Sequence, residues 1–377
     1  STSFGELVAR KGLVIFQFVL SILLIVSVVV VYNQIDYIQH KNLGYSRENV
    51  ITFPNEGKAL GNLDVFLEEL KKTPGVVNAA ASAHDFSKSS NYTTDVGWDG
   101  KNPEDHIRFG CPAVYYNLIE TFGIEIKEGR TFSRAFHNEG ENVILNETAV
   151  KVMGLKDPVG KTVKLWGANK QVIGVMKDFH FASLHEKVEP FLFRFDPQFL
   201  PTIVVKIKAG EEQATLDALT AFYKEFNPGY TLSYRFTDQI YQQQYTAEMR
   251  VASLSRYFAG LAIVISCLGL FGLATFTSER RLKEIGIRKV LGASEIGIIY
   301  LLSSDFTKMV LMAIIIALPI SYFITAEWLN TFAYRTTIEW WFFVSAGVAS
   351  LLIAWFTIGM QTFKAAKVNP AKCLRNE

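Results

Sequence analysis

The feature of this sequence that most constrains its fold is the position of four long apolar runs, one near the start and three after residue 255. About 20 consecutive apolar residues are enough to cross the hydrocarbon core of a bilayer, and a helix satisfies its own backbone hydrogen bonds there. The sequence therefore predicts transmembrane helices over residues 12–33, 256–277, 298–326 and 340–363.

The first apolar run has a second interpretation, a cleaved signal peptide, because Arg10 and Lys11 precede it. The run is longer than an ordinary signal core, and Val31-Tyr32-Asn33-Gln34 offers no cleavage site with small residues. These features favour an uncleaved anchor whose N-terminus lies in the cytoplasm.

Lys and Arg residues are distributed unevenly beside the apolar runs. Residues 1–11, 278–297 and 364–377 carry two, five and four of them, whereas the short loop 327–339 carries one. Short loops rich in Lys and Arg remain in the cytoplasm. We therefore predict that both termini and residues 278–297 are cytoplasmic, and that residues 34–255 form a large domain outside.

Residues 34–255 have the pattern of a soluble α+β domain. Strand–helix–strand patterns occur over 49–84 and again over 202–237, with Tyr230–Phe236 as the last predicted strand. Two such units on either side of an insert suggest a small split α/β sandwich. The insert, residues 85–201, is richer in short strands and turns, and we predict it to be a second, mostly β part.

Composition excludes two further classes of protein. The formal net charge of +2 is too small to indicate a nucleic-acid partner. Cys111, Cys267 and Cys373 fall in three different predicted environments, so we expect no disulfide framework.

One glycine-containing stretch invites comparison with a phosphate-binding loop. Gly154 and Gly160 precede Lys161, but five residues separate the two glycines, and the phosphate loop needs four. The stretch also contains Pro158. We predict a turn between a helix and a strand, and no nucleotide site.

Two clusters of polar residues could suggest a metal or hydrolase site. Asp178, His180, His185 and Glu186 are spaced in a way that fits neither face of a helix nor a strand, so we predict no metal site. The sequence His84-Asp85 with nearby Ser87 lacks the glycines of a nucleophile elbow. We predict no catalytic, cofactor or metal site in this chain.

The segment between the second and third apolar runs combines charge with helical periodicity. Residues 278–294 contain five basic residues against two glutamates, and the apolar residues recur at three-to-five-residue steps. This pattern suits a short helix lying on a membrane surface. Gly292 after Leu291 predicts the end of that helix, and Ser294 is a predicted N-cap of the next. The segment is either an interfacial connector or a lever that receives force from a cytoplasmic partner.

Two charge pairs occur at helical spacing in this region. Glu284 and Arg288 form a favourable i,i+4 pair. Asp305 and Lys308 lie one turn apart at the start of the third apolar run, where we place them at the cytoplasmic interface rather than deep in lipid.

Several stretches together resemble one family. Glu279–Ala293 resembles the signature of FtsX-like/MacB-like ABC transporter permeases, and Val368–Arg375 resembles the usual ending of that family. The soluble region resembles the MacB-type periplasmic core domain. The stretches that carry this second likeness are Tyr115-Tyr116, Phe122-Gly123, Glu128-Gly129-Arg130, Asn142–Asn146 and Asp157–Lys161.

The resemblance implies an α-helical membrane protein with four transmembrane helices and a large extracytoplasmic α+β domain. In that domain 49–84 and 202–237 would form a porter-like part, and 85–201 a β-rich insert. The chain would be a non-catalytic, multi-pass subunit of the bacterial inner membrane, with its large domain in the periplasm and no cofactor. Gln17 and the start at Ser1 also resemble the C-terminal half of duplicated permeases common in Bacteroidota, so we expect a piece of something longer or a chain that must pair.

The resemblance also implies partners and a mechanism. A separate cytoplasmic ABC ATPase would drive the chain, which would act as a homodimer or as a pseudo-dimer with a second permease half. Motion would pass through the lipid membrane to the periplasmic domain for export, or efflux, of an envelope substrate, with a periplasmic adaptor as a further partner. Residues 278–297 would be the coupling segment. Its candidate ATPase-coupling residues are Glu279, Arg280, Arg281, Lys283, Glu284, Ile285, Gly286, Arg288, Lys289 and Gly292.

Two other functions stay open at this point. A transmembrane regulator would couple an ATPase to control of a periplasmic cell-wall enzyme, and a receptor anchored by four helices would need no ATPase. A neighbouring gene for an outer-membrane channel or adaptor would favour transport, and one for a wall hydrolase would favour regulation. Recovery of an ATPase in a pull-down would exclude the receptor.

Overall fold

The structure is a computed structural model that describes residues 4–83, 91–180, 183–198, 200–281, 284, 287–288, 291 and 294–366. The chain divides into two compact units. We call Ser1–Gln39 with Ala247–Glu377 the helical unit, and His40–Thr246 the sheet domain.

Ten helices and thirteen strands are described. The helices are α1 (Phe4–His40), α2 (Lys58–Gly61), α3 (Leu63–Lys71), α4 (Leu118–Phe122), α5 (Glu147–Met153), α6 (Glu212–Phe226), α7 (Thr237–Gln243), α8 (Thr246–Arg280), α9 (Glu295–Leu329) and α10 (Trp340–Ala366). The strands are β1 (Val50–Pro54), β2 (Val76–Ser82), β3 (Tyr92–Thr93), β4 (Val96–Gly97), β5 (Phe109–Gly110), β6 (Ala113–Val114), β7 (Ile126–Gly129), β8 (Asn142–Asn146), β9 (Thr162–Leu165), β10 (Ala168–Met176), β11 (Leu192–Phe195), β12 (Thr202–Ile207) and β13 (Arg235–Phe236).

Among the described residues, four helices, α1, α8, α9 and α10, are long and apolar enough to cross a membrane. The helices extend beyond the predicted spans, because helical geometry continues through polar residues at their ends. In α8, for example, the helix begins at Thr246, before the predicted start of the span at 256. The candidate membrane spans within these helices are Val8–His40, Thr246–Arg280, Ser303–Leu329 and Trp340–Gln361.

The helical unit is packed through apolar side chains of mixed size. On α1 the buried residues recur every four positions, at Val14, Phe18, Ile22, Val26 and Val30. Small residues on the partner helices complete the cluster and allow close approach of the helix backbones. These small residues are Ala274, Ala313, Ala317, Ala346 and Ala354.

Specific polar contacts join different segments of this unit. Ser21 and Ser266, both buried, lie 3.0 Å apart through their hydroxyl oxygens. The buried Gln34 side chain donates to Tyr334 O at 3.0 Å and accepts from the Thr336 amide at 2.8 Å. Gln34 therefore ties α1 to the loop between α9 and α10.

Eleven strands of the sheet domain form one mixed sheet. Its order is β13-β1-β12-β2-β6-β11-β8-β10-β9-β4, with β7 paired to β10, while β3 and β5 form a separate pair. In the described residues, the register of β2 with β6 is one pair, Ser82 with Val114. This pair joins the strands of 49–84 and 202–237 to those of the predicted insert, 85–201. The division into a porter-like part and an insert stays a prediction.

The last predicted strand of the domain, Tyr230–Phe236, is wrong over most of its length. Only Arg235 and Phe236 pair with β1. Leu232 and Tyr234 instead pack their side chains against the core, without a ladder of backbone hydrogen bonds. Alternating apolar residues predicted a strand, but side-chain burial alone satisfies that pattern.

Candidate functional site

The predicted coupling segment begins inside a transmembrane helix. Glu279 and Arg280 lie in the last turn of α8, and Arg281 follows directly. The helix therefore continues past the apolar run, and the boundary at 278 stays a prediction. Of the other predicted coupling residues, Glu284 and Arg288 are helical. Lys283, Ile285, Gly286, Lys289 and Gly292 lie outside the described residues.

Glu284 and Arg288 form the predicted i,i+4 ion pair. Arg288 Nη2 lies 2.7 Å from Glu284 Oε1, and both side chains are nearly half exposed. The Leu291 amide donates to Ile287 O at 3.0 Å, a contact between residues four apart. An exposed pair of this kind stabilises a helix by about 0.3–0.5 kcal/mol. The pair therefore contributes little to stability, and its main effect is to place one negative and one positive charge on the protein surface.

The start of α9 follows the predicted N-cap. The Ser294 hydroxyl accepts a hydrogen bond from the Gly297 amide at 3.1 Å. Such a cap satisfies one of the unpaired amides of a first helical turn.

A second ion pair connects α8 to α9. Arg281 Nη2 donates to Asp305 Oδ2 at 3.0 Å, and each side chain is about one third exposed. The sequence suggested a pair of Asp305 with Lys308, which follows it by one helical turn. In the structure Lys308 is exposed, and Asp305 pairs with Arg281. The two partners are 24 residues apart, so no local spacing rule could find the pair.

Two arginines stack on the ring of Phe276, near the start of α1 and the end of α8. Arg10 of α1 lies 4.7 Å from the centre of the Phe276 ring, and Arg280 lies 5.8 Å from it. Such cation–π contacts hold guanidinium groups against an apolar surface.

Beside these arginines lies a cavity of about 290 Å³ between α1, α8 and α9. Its lining combines basic, acidic and apolar side chains from all three helices. The lining residues are Lys11, Phe276, Thr277, Arg280, Arg281, Asp305, Phe306 and Met309.

The glycine-containing stretch before Lys161 is a turn, as predicted. Gly154 caps the end of α5 with φ +64°, and Gly160 with φ +88° precedes β9. Asn146 caps the other end of α5 by accepting from the Ala149 amide at 2.9 Å. These positive-φ glycines end a helix and start a strand, which explains the likeness to a phosphate loop.

The cluster around His180 has local structural contacts. Asp178 accepts from the amide and the hydroxyl of Thr148 at 2.9 and 2.8 Å, at the start of α5. Burial lowers the pKa of His180, and Lys41 adds to this effect. No group of three or more His, Cys, Asp or Glu is placed to hold a metal within the described part of the chain. His84, Asp85 and Ser87 lie outside it.

The Glu128-Gly129-Arg130 stretch organises a buried carboxylate. Arg130 Nη1 donates to Glu139 Oε1 at 2.6 Å, and the Ser133 amide and Asn142 Nδ2 donate at 2.9 and 2.7 Å. Burial alone would raise the pKa of Glu139, but these donors outweigh burial and lower its pKa. The arginine of this stretch thus has a structural partner.

The buried Asn146 side chain makes three contacts. Besides the cap on α5, Asn146 donates to Glu189 O at 3.0 Å and accepts from the Phe191 amide at 2.8 Å. It therefore fixes the loop before β11 to the end of β8. The tail residues 367–377, including the family-like ending Val368–Arg375 and Cys373, lie outside the described residues.

Comparison with known proteins covers both units. Residues 13–222 match the MacB-like periplasmic core domain, and residues 256–370 match the FtsX-like permease C-terminal region. The uncharacterized ABC transporter permease YknZ of Bacillus subtilis is 21% identical over 343 residues, which cover 88% of this chain and 83% of that protein.

Two further proteins are similar over part of their length or of this chain. The macrolide export ATP-binding/permease protein MacB of Chromobacterium violaceum is 23% identical over 272 residues, 68% of this chain but 41% of that protein. The periplasmic region of MacB from Actinobacillus actinomycetemcomitans aligns with 55% of this chain and 98% of that chain, at 17% identity and a TM-score of 0.38.

The match to the MacB-like periplasmic core domain alone covers more than half of the 377 residues. The FtsX-like match then accounts for most of the remaining helices, and both agree with a membrane protein that carries a mixed α/β domain. The chain therefore belongs to the MacB/FtsX-type family of ABC transporter permeases, inner-membrane proteins with a periplasmic domain.

Proposed function

We propose that this chain is the permease subunit that transmits motion of a separate cytoplasmic ATPase to its periplasmic domain, and thereby moves an envelope substrate. The observation that carries the proposal is the exposed Glu284–Arg288 helical turn between α8 and α9. With residues 278–297 in the cytoplasm, as the distribution of Lys and Arg predicts, the turn would offer paired charges to the ATPase.

The surface of this turn suits a protein partner. Ile287 is 54% exposed and Leu291 is 80% exposed, beside the two charged residues. Apolar side chains flanked by complementary charges are the usual composition of a specific contact, because the charges guide binding and the apolar groups contribute affinity.

The Arg281–Asp305 ion pair supports transmission from this turn into the membrane. It links the end of α8 to α9 at 3.0 Å, on the two helices that flank the turn. Displacement of the turn would therefore act on both helices rather than on one.

We assign the ATP-binding function to a partner. The MacB relatives are named ATP-binding/permease proteins, and this chain matches 41% of the length of one of them. The glycine-containing stretch before Lys161 lacks the spacing of a phosphate loop and forms a turn. We further propose that the chain pairs with a second copy or with a second permease half.

The test is ATP hydrolysis by an ABC ATPase that co-purifies with the full chain, measured with and without the full chain. The variant exchanges the two charges, Glu284→Arg with Arg288→Glu, so that an i,i+4 pair persists while the surface charges trade places. We expect stimulation of hydrolysis to fall about tenfold, since misplaced charges at an interface cost about 1.4 kcal/mol or more.

A matched exchange in the sheet domain serves as the control. Glu69 and Lys72 form an exposed i,i+3 pair at 2.7 Å, and Glu69→Lys with Lys72→Glu should leave stimulation unchanged. Equal stimulation in the Glu284/Arg288 variant and the control would contradict the coupling role.

Substrate movement is tested separately in proteoliposomes that contain the complete complex. Added lipoproteins, peptides and small toxic compounds would be followed across the bilayer with and without ATP. Stimulated hydrolysis with no movement of any of these would contradict the transport part of the proposal while leaving the coupling part standing.

A further inference from the structure

The cavity between α1, α8 and α9 has an excess of positive charge. Three basic residues, Lys11, Arg280 and Arg281, face one acidic residue, Asp305. Arg281 is paired with Asp305, and Arg280 rests on the Phe276 ring. Among the described residues, Lys11 has no ion-pair partner. An anion in the cavity would therefore meet positive charge that the protein itself does not neutralise.

The inner wall of the same cavity is apolar. Phe306 and Met309 are 2% and 6% exposed, and Phe276, which carries Arg10 and Arg280 on its ring, also lines the cavity. A cavity of about 290 Å³ has roughly ten times the ~30 Å³ that one water occupies in the liquid. It has room for a phosphate group together with the first carbon atoms attached to it.

The position of the cavity along the helices corresponds to the headgroup level. The apolar run of α1 begins directly after Lys11, and that of α8 ends at Phe276, before Arg280. Basic side chains at the ends of apolar runs reach the lipid phosphates. Since α1 and α8 connect to the periplasmic domain through their other ends, at His40 and Thr246, this end faces the cytoplasmic leaflet.

From these observations we infer that the cavity binds a phosphate group through Lys11 and Arg280, either that of an anionic phospholipid headgroup or free phosphate. Lys and Arg donate charge-assisted hydrogen bonds to phosphate oxygens. Basic pockets between transmembrane helices on the cytoplasmic side are suited to anionic headgroups. The apolar wall would contact the glycerol and the start of an acyl chain.

The test is a binding titration of the full chain in neutral detergent, read by native mass spectrometry. The probes are phosphatidylglycerol, phosphatidylcholine and inorganic phosphate. We expect phosphatidylglycerol to bind more tightly than phosphatidylcholine, whose choline cation would approach the basic residues. Lys11→Gln should weaken binding about tenfold, the usual effect of losing one charged hydrogen bond.

Two variants complete the design. Lys308 lies on α9 near the cavity-lining residues Asp305 and Met309, but it is exposed and does not line the cavity. Lys308→Gln therefore removes a nearby positive charge and should change binding less than twofold. Lys11→Arg should retain the affinity, which would show that Lys11→Gln acts through the lost charge rather than through misfolding.

The outcomes separate the two sources of phosphate. Preference for phosphatidylglycerol that is lost in Lys11→Gln supports a lipid site, and binding of inorganic phosphate with the same dependence on Lys11 supports a free-phosphate site. The inference would be overturned if Lys11→Gln and Lys308→Gln changed binding equally. It would also be overturned if neither phosphatidylglycerol nor inorganic phosphate bound. ATPase stimulation does not enter these readouts, so the result is independent of the proposed coupling function.

Discussion

The two units of this chain differ in how they treat buried polar groups. In the sheet domain, Glu139 and Asn146 each have three partner residues. Those of Glu139 are close in sequence, whereas Asn146 also contacts Glu189 and Phe191, 43 and 45 residues away. In the helical unit, buried hydroxyls mostly bond back to a carbonyl four residues earlier in their own helix. Examples are Ser321 to Ala317 O, Thr325 to Ser321 O, Ser350 to Ala346 O and Thr357 to Ile353 O.

This difference follows from the surroundings of each unit. A helix in lipid satisfies its own backbone, and its hydroxyls do the same at little cost. Helix contacts then depend on the shapes of side chains such as Ala313 and Ala317. In the sheet domain, Asn146 instead makes directional contacts to a distant segment, the loop before β11. Single substitutions should therefore be more damaging in the sheet domain, while the helices should tolerate small relative shifts.

The largest expected effect is that of Gly129→Ala, because Gly129 combines φ +78° with backbone directly beside it. An added Cβ would overlap Ile173 O, which cannot move without disturbing β10. We expect a loss of about 3–5 kcal/mol in the stability of the sheet domain. Hydrogen exchange of sheet-domain peptides in the full chain would measure it.

Gly269→Ala is the counterpart in the helical unit, where the added Cβ would meet only the tip of the flexible Gln17 side chain. Its expected cost is about 1 kcal/mol or less, because that tip can rotate away. Gly154→Ala, at φ +64° with open space around it, controls for backbone strain alone. Equal losses of stability for Gly129→Ala and Gly269→Ala would contradict the expectation that the sheet domain is the more sensitive of the two units.

A smaller effect is expected for Glu139→Gln, which removes the charge bound by Arg130. The Arg130 guanidinium would then lack its carboxylate, and we expect a loss of about 2–3 kcal/mol near neutral pH. The change in the unfolding free energy of the sheet domain is measured by denaturation that is monitored through hydrogen exchange. The exposed pair of Glu69 with Lys72 is the control, since Glu69→Gln should have no measurable effect.

The pH dependence of the same variant has a definite sign. The pKa of Glu139 is lowered in the fold from its ordinary 4.5, so its contribution to stability is present above 4.5 and is lost as the pH falls through the lower folded value. The native chain should therefore lose more stability than Glu139→Gln on acidification below pH 4.5. Parallel pH profiles for the two proteins would show that Glu139 is not held as a carboxylate.

Within the helical unit, Gln34→Leu should have the largest effect of a polar substitution. It would leave Tyr334 O and the Thr336 amide without their side-chain partner, at a cost of about 1–2 kcal/mol. Faster hydrogen exchange of the Thr336 amide is the direct measurement. Gln361→Leu, which removes a contact to Thr275 elsewhere in the unit, should leave that amide unchanged.

The smallest expected effect is that of Ser21→Ala, which removes the 3.0 Å contact with Ser266. Interhelical hydrogen bonds in membranes average about 0.6 kcal/mol, and we expect a value of that size in unfolding by a graded denaturing detergent. A loss above about 2 kcal/mol, the upper range of such contacts, would mean that directional contacts dominate in the helical unit as well.

The parts of the fold that depend on local signals could be predicted from the sequence. The helix Glu147–Met153 depends on such signals, because the Asn146 side chain caps its start and Gly154 ends it. The long helices of the helical unit could be predicted from the length of the apolar runs, as for Trp340–Ala366. The sheet order could not be predicted, since the parallel pairing of β6 with β11 joins residues about 80 positions apart.

The candidate site divides in the same way. The Glu284–Arg288 pair and the Ser294 cap follow from spacing within one or two turns, and the sequence predicted both. The Arg281–Asp305 pair needed two helices to be placed side by side. The contribution of Lys11 to the cavity needed a third, from the opposite end of the chain.

The contact made by Gln34 has a consequence for how related sequences diverge. Its two partners are a backbone oxygen and a backbone nitrogen, so the tie does not depend on which side chains occupy positions 334 and 336, proline at 336 excepted. The loop between α9 and α10 is thus free to vary in sequence while a single amide side chain on the first helix preserves its attachment.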